Sequence, residues 1–128
     1  MRREHMRAMK CILLLCSLVA VTLSGSWGAA QVGAANLKRG QTLYEQQCAR
    51  CHGKNGDGLG PEGQYLMTPP ASFKSADMRR KTDGELLQSI SQGVPSSPMH
   101  AWRDRLSQQE MKDIIGYVRM LSPFSPIN

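Results

Sequence analysis

Cys48-Ala49-Arg50-Cys51-His52 places two thiols and an imidazole within one short stretch of sequence. On a helical turn the thiols lie close together, so both can add to neighbouring vinyl groups of one haem. The imidazole of His52 then points at the haem iron from the same side. The spacing predicts one haem c, bound to Cys48 and Cys51 through two thioethers, with His52 as a ligand of its Fe.

Three other uses of these cysteines fit the sequence less well. A thioredoxin-like redox pair needs strands around it, and the flanking sequence shows no alternating β pattern. A zinc site needs four ligands. Cys48, Cys51, His52 and His100 could supply them, but the adjacent Cys51 and His52 would struggle to close one tetrahedron. A disulfide between the two cysteines would close a very small, strained ring.

A haem iron held by one imidazole has a second axial position to fill. A methionine thioether favours Fe(II), so a His/Met pair raises the reduction potential. Met99 lies in the loop 93–102, which two prolines stiffen, and we expect it to be the distal ligand. Met67, which precedes a pair of prolines, is the next candidate, and His100 is a third.

One predicted helix contains both cysteines of the motif, and a second follows the motif. The first covers about residues 37–51, with Asn36 as its N-cap. The second starts at the capping box 82–85 and ends at Gly93.

The last predicted helix has the clearest pattern. It starts at the capping box 107–110, its apolar residues recur at helical spacing from Met111 to Leu121, and Pro123 marks its end. No segment shows the alternation typical of a strand. The sequence therefore predicts an all-α fold with three main helices.

The segment 53–81 is rich in Gly and Pro and has no predicted helix. So long a loop is uncommon in a compact domain unless it serves a function. Aromatic residues make up only 5% of the chain, which leaves little bulk for a core. A bound haem accounts for both features, because the loop wraps it and it supplies the missing apolar volume.

Residues 1–30 are organised like a secretory signal peptide, with a basic start, an apolar run over 11–23 and small residues at 24–30. Cleavage after Ala30 would leave one domain, 31–128, with a core of about 36–122. An uncleaved membrane anchor is the alternative, although the apolar run is shorter than the roughly 20 residues that a spanning helix needs.

The net charge changes once this segment is removed. The whole chain of 128 residues carries +6, but residues 1–30 hold four Lys or Arg and one Glu, so the remainder carries +3. Most of the support for nucleic-acid binding is thereby lost. The length also excludes a multidomain enzyme.

Across about residues 36–122 the sequence resembles the small mono-haem class I cytochromes c of bacteria. The matching features are Gly40-x-x-Leu43-Tyr44, Cys48-x-x-Cys51-His52-Gly53, Gly56-x-Gly58-x-Gly60-Pro61, Pro69-Pro70-x-x-Phe73, the loop ending at Met99, and Tyr117 in the last helix. The resemblance implies a small cytochrome c-like fold, in which three main helices and Gly/Pro-rich loops surround one covalently attached haem.

The resemblance also implies particular contacts. Gly40 and Tyr117 would meet where the first and last helices cross. The segment at Pro61 would provide a backbone carbonyl that accepts a hydrogen bond from Nδ1 of His52 and so orients the metal-bound imidazole. Met99 would be the distal ligand.

The function implied is one-electron transfer by a carrier that is not itself an enzyme, in a periplasmic or respiratory chain. A haem c subunit of a larger dehydrogenase or oxidase is one alternative. A haem enzyme or gas sensor with a displaceable distal ligand is another. We expect export to the periplasm, with membrane attachment only if residues 1–30 stay uncleaved.

The expected partners are redox proteins, and no nucleic acid is expected among them. Seven basic residues could surround the haem edge and steer an acidic-faced partner, or they could be an ordinary solvated surface. They are Lys54, Lys74, Arg79, Arg80, Lys81, Arg103 and Arg105.

Overall fold

The structure, a computed structural model, describes residues 34–125, all within the compact unit Gly33–Asn128. The interpretation of residues 1–30 as a signal peptide or anchor lies outside the described residues.

Residues 34–125 form helices and loops without a strand, so the all-α prediction is confirmed. The helices are α1 (Leu37–Gln47), α2 (Ala49–His52), α3 (Ala76–Arg80), α4 (Asp83–Gln92) and α5 (Gln108–Leu121), with a 3-10 turn at Gly63–Tyr65. Within this range, none of them is long and apolar enough to cross a membrane.

The first predicted helix is two helices in the structure. Asn36 caps α1 as expected, because its side chain accepts a hydrogen bond of 3.0 Å from the backbone N–H of Arg39. The prediction of one continuous helix up to Cys51 is wrong, because α1 ends before Cys48. The backbone at Cys48 has φ −113°, and its carbonyl accepts hydrogen bonds from the N–H groups of both Cys51 and His52. A separate turn therefore starts at the first cysteine of the motif.

The helices α4 and α5 begin at the predicted capping boxes. Thr82 Oγ1 accepts a hydrogen bond from the Glu85 N–H, and the Glu85 carboxylate accepts one of 2.7 Å from the Thr82 N–H. Ser107 and Glu110 make the same reciprocal pair before α5. These bonds satisfy N–H groups that a first helical turn leaves without partners. α4 ends at Gly93, where φ is +76°, as the sequence predicted.

The Gly/Pro-rich segment contains two short elements that the sequence pattern did not predict, the 3-10 turn and α3. Ser75 caps α3 by accepting a hydrogen bond of 3.3 Å from the Met78 N–H. A helix of five residues is too short to show an apolar period. Ser75, followed by Asp77 in the first turn, is the one local signal for it.

α1 and α5 pack directly against each other, backbone to backbone. A Cβ atom placed on Gly40 would lie 2.0 Å from the carbonyl oxygen of Asp113 and 3.2 Å from the nitrogen of Ile114, so the crossing requires glycine. The expected crossing of the first and last helices is therefore present. Tyr117 also contacts α1, one turn after Gly40, because its ring lies 5.3 Å from the ring of Tyr44, centroid to centroid.

Asp113 is fully buried at this crossing, and donors surround its carboxylate. Its oxygens accept hydrogen bonds from the Asn36 N–H at 2.9 Å, from the Gln109 side-chain amide at 3.0 Å and from the Arg39 guanidinium, with which it forms a salt bridge. Burial opposes ionisation, but the hydrogen bonds and the Arg39 charge outweigh it, so the pKa of Asp113 is lowered. The charged carboxylate therefore joins the start of α1 to α5.

The hydrophobic core lies around α1, α5 and the segment that precedes α5. Its buried members are Tyr44, Trp102, Leu106, Met111, Ile114 and Val118. The partly buried Cys48 and Met99 pack against this cluster from outside. The first predicted attachment cysteine and the predicted distal ligand therefore border the same core.

Candidate haem c site

The two cysteines of the motif are free thiols, Cys48 at the start of α2 and Cys51 within it, and both are partly buried. Burial, together with the neighbouring Cys51, raises the pKa of Cys48 to about 12. The sulfur of Cys48 therefore lies in apolar surroundings. The disulfide considered from the sequence is not formed, so both sulfur atoms are available for thioether bonds.

The glycine-rich loop that follows α2 folds back onto the end of that helix. Its backbone N–H groups donate to the carbonyls that a helix end leaves without partners. The bonds are Glu62 N–H to Arg50 O at 2.9 Å, Gly60 N–H to Cys51 O at 3.1 Å and Gly58 N–H to His52 O at 2.8 Å. At Gly60 a Cβ would lie 2.5 Å from the Arg50 carbonyl oxygen, so this close approach needs glycine. The loop thus fixes the backbone of the short helix that carries the motif.

The imidazole of His52 is oriented by a backbone carbonyl. Its Nδ1 lies 3.2 Å from the carbonyl oxygen of Ala71. A carbonyl only accepts, so Nδ1 carries the hydrogen and the lone pair of the ring is on Nε2, the atom suited to bind a metal. Burial lowers the pKa of His52, although the bond to Ala71 opposes that shift. The neutral, metal-binding form of the ring is therefore favoured.

A backbone carbonyl of the segment at Pro61 was the expected partner of this imidazole, and that expectation is wrong because the acceptor is Ala71. The Pro61 carbonyl instead accepts a hydrogen bond of 2.9 Å from the side-chain amide of Gln64. The cause is the path of the loop, because the chain next to Pro61 is held against the end of α2 by the Glu62 N–H. The later segment, at Ala71, is the one that reaches the edge of the imidazole.

One aromatic side chain, Phe73, stacks on the imidazole of His52, a contact that the sequence did not predict. The Phe73 ring is stacked on the His52 ring, with centroids 4.8 Å apart and planes 18° apart. The buried Tyr44 lies edge-on to Phe73 at 6.2 Å, and its hydroxyl donates a 2.7 Å hydrogen bond to the Gly53 carbonyl. The available signal was an aromatic residue in the Pro69-Pro70-x-x-Phe73 motif, but nothing local indicated which ring it would contact.

The three candidates for a distal ligand lie in different surroundings. Met99 is partly buried against the core, and its loop is closed by a 2.9 Å bond from the Val94 N–H to the Met99 carbonyl. Met67 is fully exposed, at 103% of its reference area. His100 is exposed, with its ring 4.6 Å from that of Trp102.

The zinc site considered from the sequence does not form in the part of the chain that the structure describes. Among residues 34–125, no three His, Cys, Asp or Glu side chains are grouped so that they could hold a metal ion. The donors present, two thiols and one imidazole with Nε2 unprotonated, instead suit the vinyl groups and the iron of a haem.

Comparison with known proteins agrees with this chemistry. The model of the family described as cytochrome c oxidase, cbb3-type, subunit III matches residues 35–118. The chain belongs to this family. It is a c-type cytochrome with covalently bound haem c, and its function is electron transfer. The predicted cofactor and the resemblance to small cytochromes c are confirmed.

Two curated relatives show the range of proteins in which this domain occurs. Chloroplastic cytochrome c6 of Chlamydomonas reinhardtii is 31% identical over 81% of the present chain and 68% of its own length. The cbb3-type cytochrome c oxidase subunit CcoP of Azospirillum brasilense is 32% identical over 69% of the present chain. The match spans only 29% of CcoP. The relatives of the chain therefore include both a cytochrome c6 and a subunit of a cytochrome c oxidase.

A solved structure supports the fold. The c-type cytochrome KustC0563 is 28% identical, and the match covers 64% of the present chain and 95% of that one, with a TM-score of 0.55. The predicted cytochrome c-like fold is therefore confirmed.

Proposed function

We propose that the chain is a one-electron carrier in which Cys48 and Cys51 bind haem c through thioethers and His52 and Met99 are the axial ligands of the iron. The hydrogen bond from His52 Nδ1 to the Ala71 carbonyl carries this proposal. It leaves Nε2 of an imidazole that directly follows the second cysteine as the ligand atom. When bound, haem supplies the Fe(II)/Fe(III) couple, and two filled axial positions leave no place for a substrate.

The residues present fit this role. Both cysteines are free, and the carbonyls of their short helix are already hydrogen-bonded by the following loop. The backbone of the motif is therefore fixed by hydrogen bonds within the chain. The Ala71 carbonyl holds the imidazole by a hydrogen bond, an arrangement that makes a histidine a better donor to a metal.

The placement of Met99 supports it as the distal ligand over Met67. Met99 packs against the same core cluster as Cys48, whereas Met67 has no part in that cluster and is fully exposed. A thioether held in an apolar setting favours Fe(II) and keeps water away from the metal. The chain thereby sets a raised reduction potential with little rearrangement between the two oxidation states.

The test compares Met99→Ala with the matched control Met67→Ala in the purified haem protein. We expect Met99→Ala to lose the ferric charge-transfer band of a methionine-ligated haem, to lower the reduction potential and to let the reduced protein bind CO. Met67→Ala should resemble the wild type in all three. The opposite pattern would assign the ligand to Met67. Ready CO binding by the wild type would favour the gas-sensor alternative.

A subunit role in a larger redox complex is the second candidate, and the match to CcoP favours it. In that case the same haem domain accepts electrons from, or passes them to, a neighbouring subunit. Gel filtration of a native extract separates the two, because a free carrier elutes at the mass of the small protein. Haem absorbance found only at high mass supports the complex.

The proposed partners of the carrier are redox proteins with acidic faces. Four of the basic residues considered from the sequence are exposed and form no salt bridge within residues 34–125, namely Lys54, Lys74, Arg79 and Arg105. Exposed charges without an ion-pair partner are available for long-range attraction, which salt screens. The rate of electron transfer to the physiological partner should therefore fall as ionic strength rises. A rate that is independent of salt would contradict the proposal.

We propose that the protein acts in the periplasm after export by residues 1–30, with retention as a membrane anchor as the alternative. The basic, apolar and small-residue regions of that segment support export. Mass spectrometry of the native protein distinguishes the two by the position of the N-terminus. The same spectrum gives the added mass of one haem.

A further inference from the structure

One short segment contacts the imidazole of His52 on two sides. The Ala71 carbonyl meets its Nδ1 edge at 3.2 Å, and the Phe73 ring covers its face, with planes only 18° apart. The two contacts constrain different motions. The hydrogen bond fixes the direction of the ring, and the stacked ring opposes rotation of the imidazole plane about that direction.

The peptide of Phe73 is itself held from both sides. Its N–H donates a 2.8 Å hydrogen bond to the Gly56 carbonyl, in the loop that follows His52. Its carbonyl accepts a 2.7 Å hydrogen bond from the Oγ of Ser122, the C-cap residue directly after α5. Ser122 is only 4% exposed, and its own N–H bonds the Val118 carbonyl at 2.9 Å. The end of α5 is thereby joined to the ring that lies on His52.

Ser122 is a buried polar residue whose hydroxyl acts across a long sequence separation, since its partner is 49 positions away. A buried hydroxyl needs a hydrogen-bond partner, and this one is placed on the segment that touches the imidazole.

We propose that Phe73 and Ser122 are positioning residues that set the plane of the His52 imidazole, Phe73 by stacking and Ser122 by holding the Phe73 backbone. This inference rests on the proposed role of His52 as the proximal ligand. Neither residue touches the iron. Their effect is on the orientation of the ring, and through it on how the ligand orbitals meet those of the metal.

The test uses the full-chain ferric haem protein and proton NMR. The spread and order of the haem-methyl resonances in low-spin ferric haem depend on the orientation of the axial ligands. We expect Phe73→Leu to change that pattern and Ser122→Ala to change it in the same sense by a smaller amount. The control Phe124→Leu alters an exposed phenylalanine beside Arg119 and should leave the pattern as in the wild type.

Wild-type haem-methyl patterns in both Phe73→Leu and Ser122→Ala would overturn the inference. If Phe73→Leu fails to accumulate with haem, Ser122→Ala decides alone, because it removes one hydroxyl and keeps the stacked ring. The proposed function fails separately. A ferric wild type without the methionine charge-transfer band would disprove the distal ligand, and a changed methyl pattern in Ser122→Ala would still support the positioning of His52.

Discussion

The hydroxyl of Tyr44, which is fully buried in α1, donates a 2.7 Å hydrogen bond to the carbonyl of Gly53, the residue that follows His52. This bond joins the core to the residue that follows α2. Desolvation by burial raises the pKa of Tyr44 well above its ordinary value, so the hydroxyl remains a donor at neutral and mildly alkaline pH. The backbone beside His52 is therefore held from the core as well as by its own loop.

Replacing Tyr44 by Phe removes this bond and keeps the ring. The Gly53 carbonyl still accepts a 3.1 Å hydrogen bond from the Gly56 N–H, so it does not become wholly unsatisfied. We therefore expect a loss of about 1 kcal/mol in the free energy of unfolding, measured by guanidinium denaturation of the haem protein. Tyr65→Phe is the matched control, because that ring is 81% exposed, and it should change stability little. Equal losses in both variants would contradict the role given to the buried bond.

Gly40→Ala should separate α1 from α5. The added Cβ would lie 2.0 Å from the Asp113 carbonyl oxygen, which is backbone and cannot turn away. We expect a loss of about 3 kcal/mol or more in the free energy of unfolding. Gly84→Ala is the control, since the nearest atom to its added Cβ is Thr82 Oγ1 at 3.8 Å, and alanine in place of a helical glycine should stabilise by about 0.5 kcal/mol. Gly40→Ala with wild-type stability would mean that the helices do not cross so closely.

Asp113 should make the stability of the protein depend on pH in the acid range. Its folded-state pKa is below that of an unfolded aspartate, about 3.9, so its contribution is present above that value and is lost as pH falls through the folded-state pKa. Asp113→Asn should flatten this acid limb of the stability curve and cost about 1–3 kcal/mol at neutral pH. Denaturation midpoints from pH 7 to pH 2 measure both effects.

The control for this pH dependence is Asp104→Asn, because the Asp104 side chain is 82% exposed and lies 4.0 Å from its arginine partner. Exposed pairs of this kind contribute little to stability. The stability of Asp104→Asn should therefore depend on pH as that of the wild type does. An unchanged acid limb in Asp113→Asn would show that another carboxylate is responsible.

Gly60→Ala should impair haem attachment. A Cβ at this position would lie 2.5 Å from the Arg50 carbonyl oxygen and 2.6 Å from that of Ala49, so the loop could no longer close on the end of α2. We expect the haem content per polypeptide, measured by the pyridine haemochrome assay, to fall several-fold. Leu59→Ala, at a neighbouring side chain that is 82% exposed, should retain the wild-type content. Full haem content in Gly60→Ala would exclude a need for this close approach.

Local patterns in the sequence predicted those features that local interactions determine. The capping boxes at Thr82 and Ser107 and the N-cap at Asn36 involve side chains and backbone within three residues of each other, and all three are present. The Cys-x-x-Cys-His spacing likewise indicated the cofactor. The break at Cys48 was not predictable in this way, because the apolar pattern continues through it.

The contacts of His52 could not be derived from local patterns. Ala71 and Phe73 lie about twenty positions after His52 in the chain. The Gly/Pro-rich segment that connects His52 to them has no apolar period that fixes its path. The resemblance to the family led us to expect the acceptor in the segment at Pro61. A shared motif does not determine the path of the loop that follows it, so this expectation failed. Which carbonyl reaches Nδ1 depends on how the whole loop packs on α2.

The hydrogen bond between the Asn36 N–H and Asp113 joins positions 77 residues apart and encloses the attachment helix and the Met99 loop in a single ring of chain. Bringing together the ends of so long a flexible segment costs on the order of 4 kcal/mol in chain entropy. If Met99 binds the iron as proposed, the haem would join residues 48–52 to residue 99 and divide that ring into shorter ones, so that later closure loses less entropy. We therefore expect ligation of the iron by Met99 to accelerate the docking of α5 on α1, which would make cofactor binding a kinetic step of folding as well as a chemical modification.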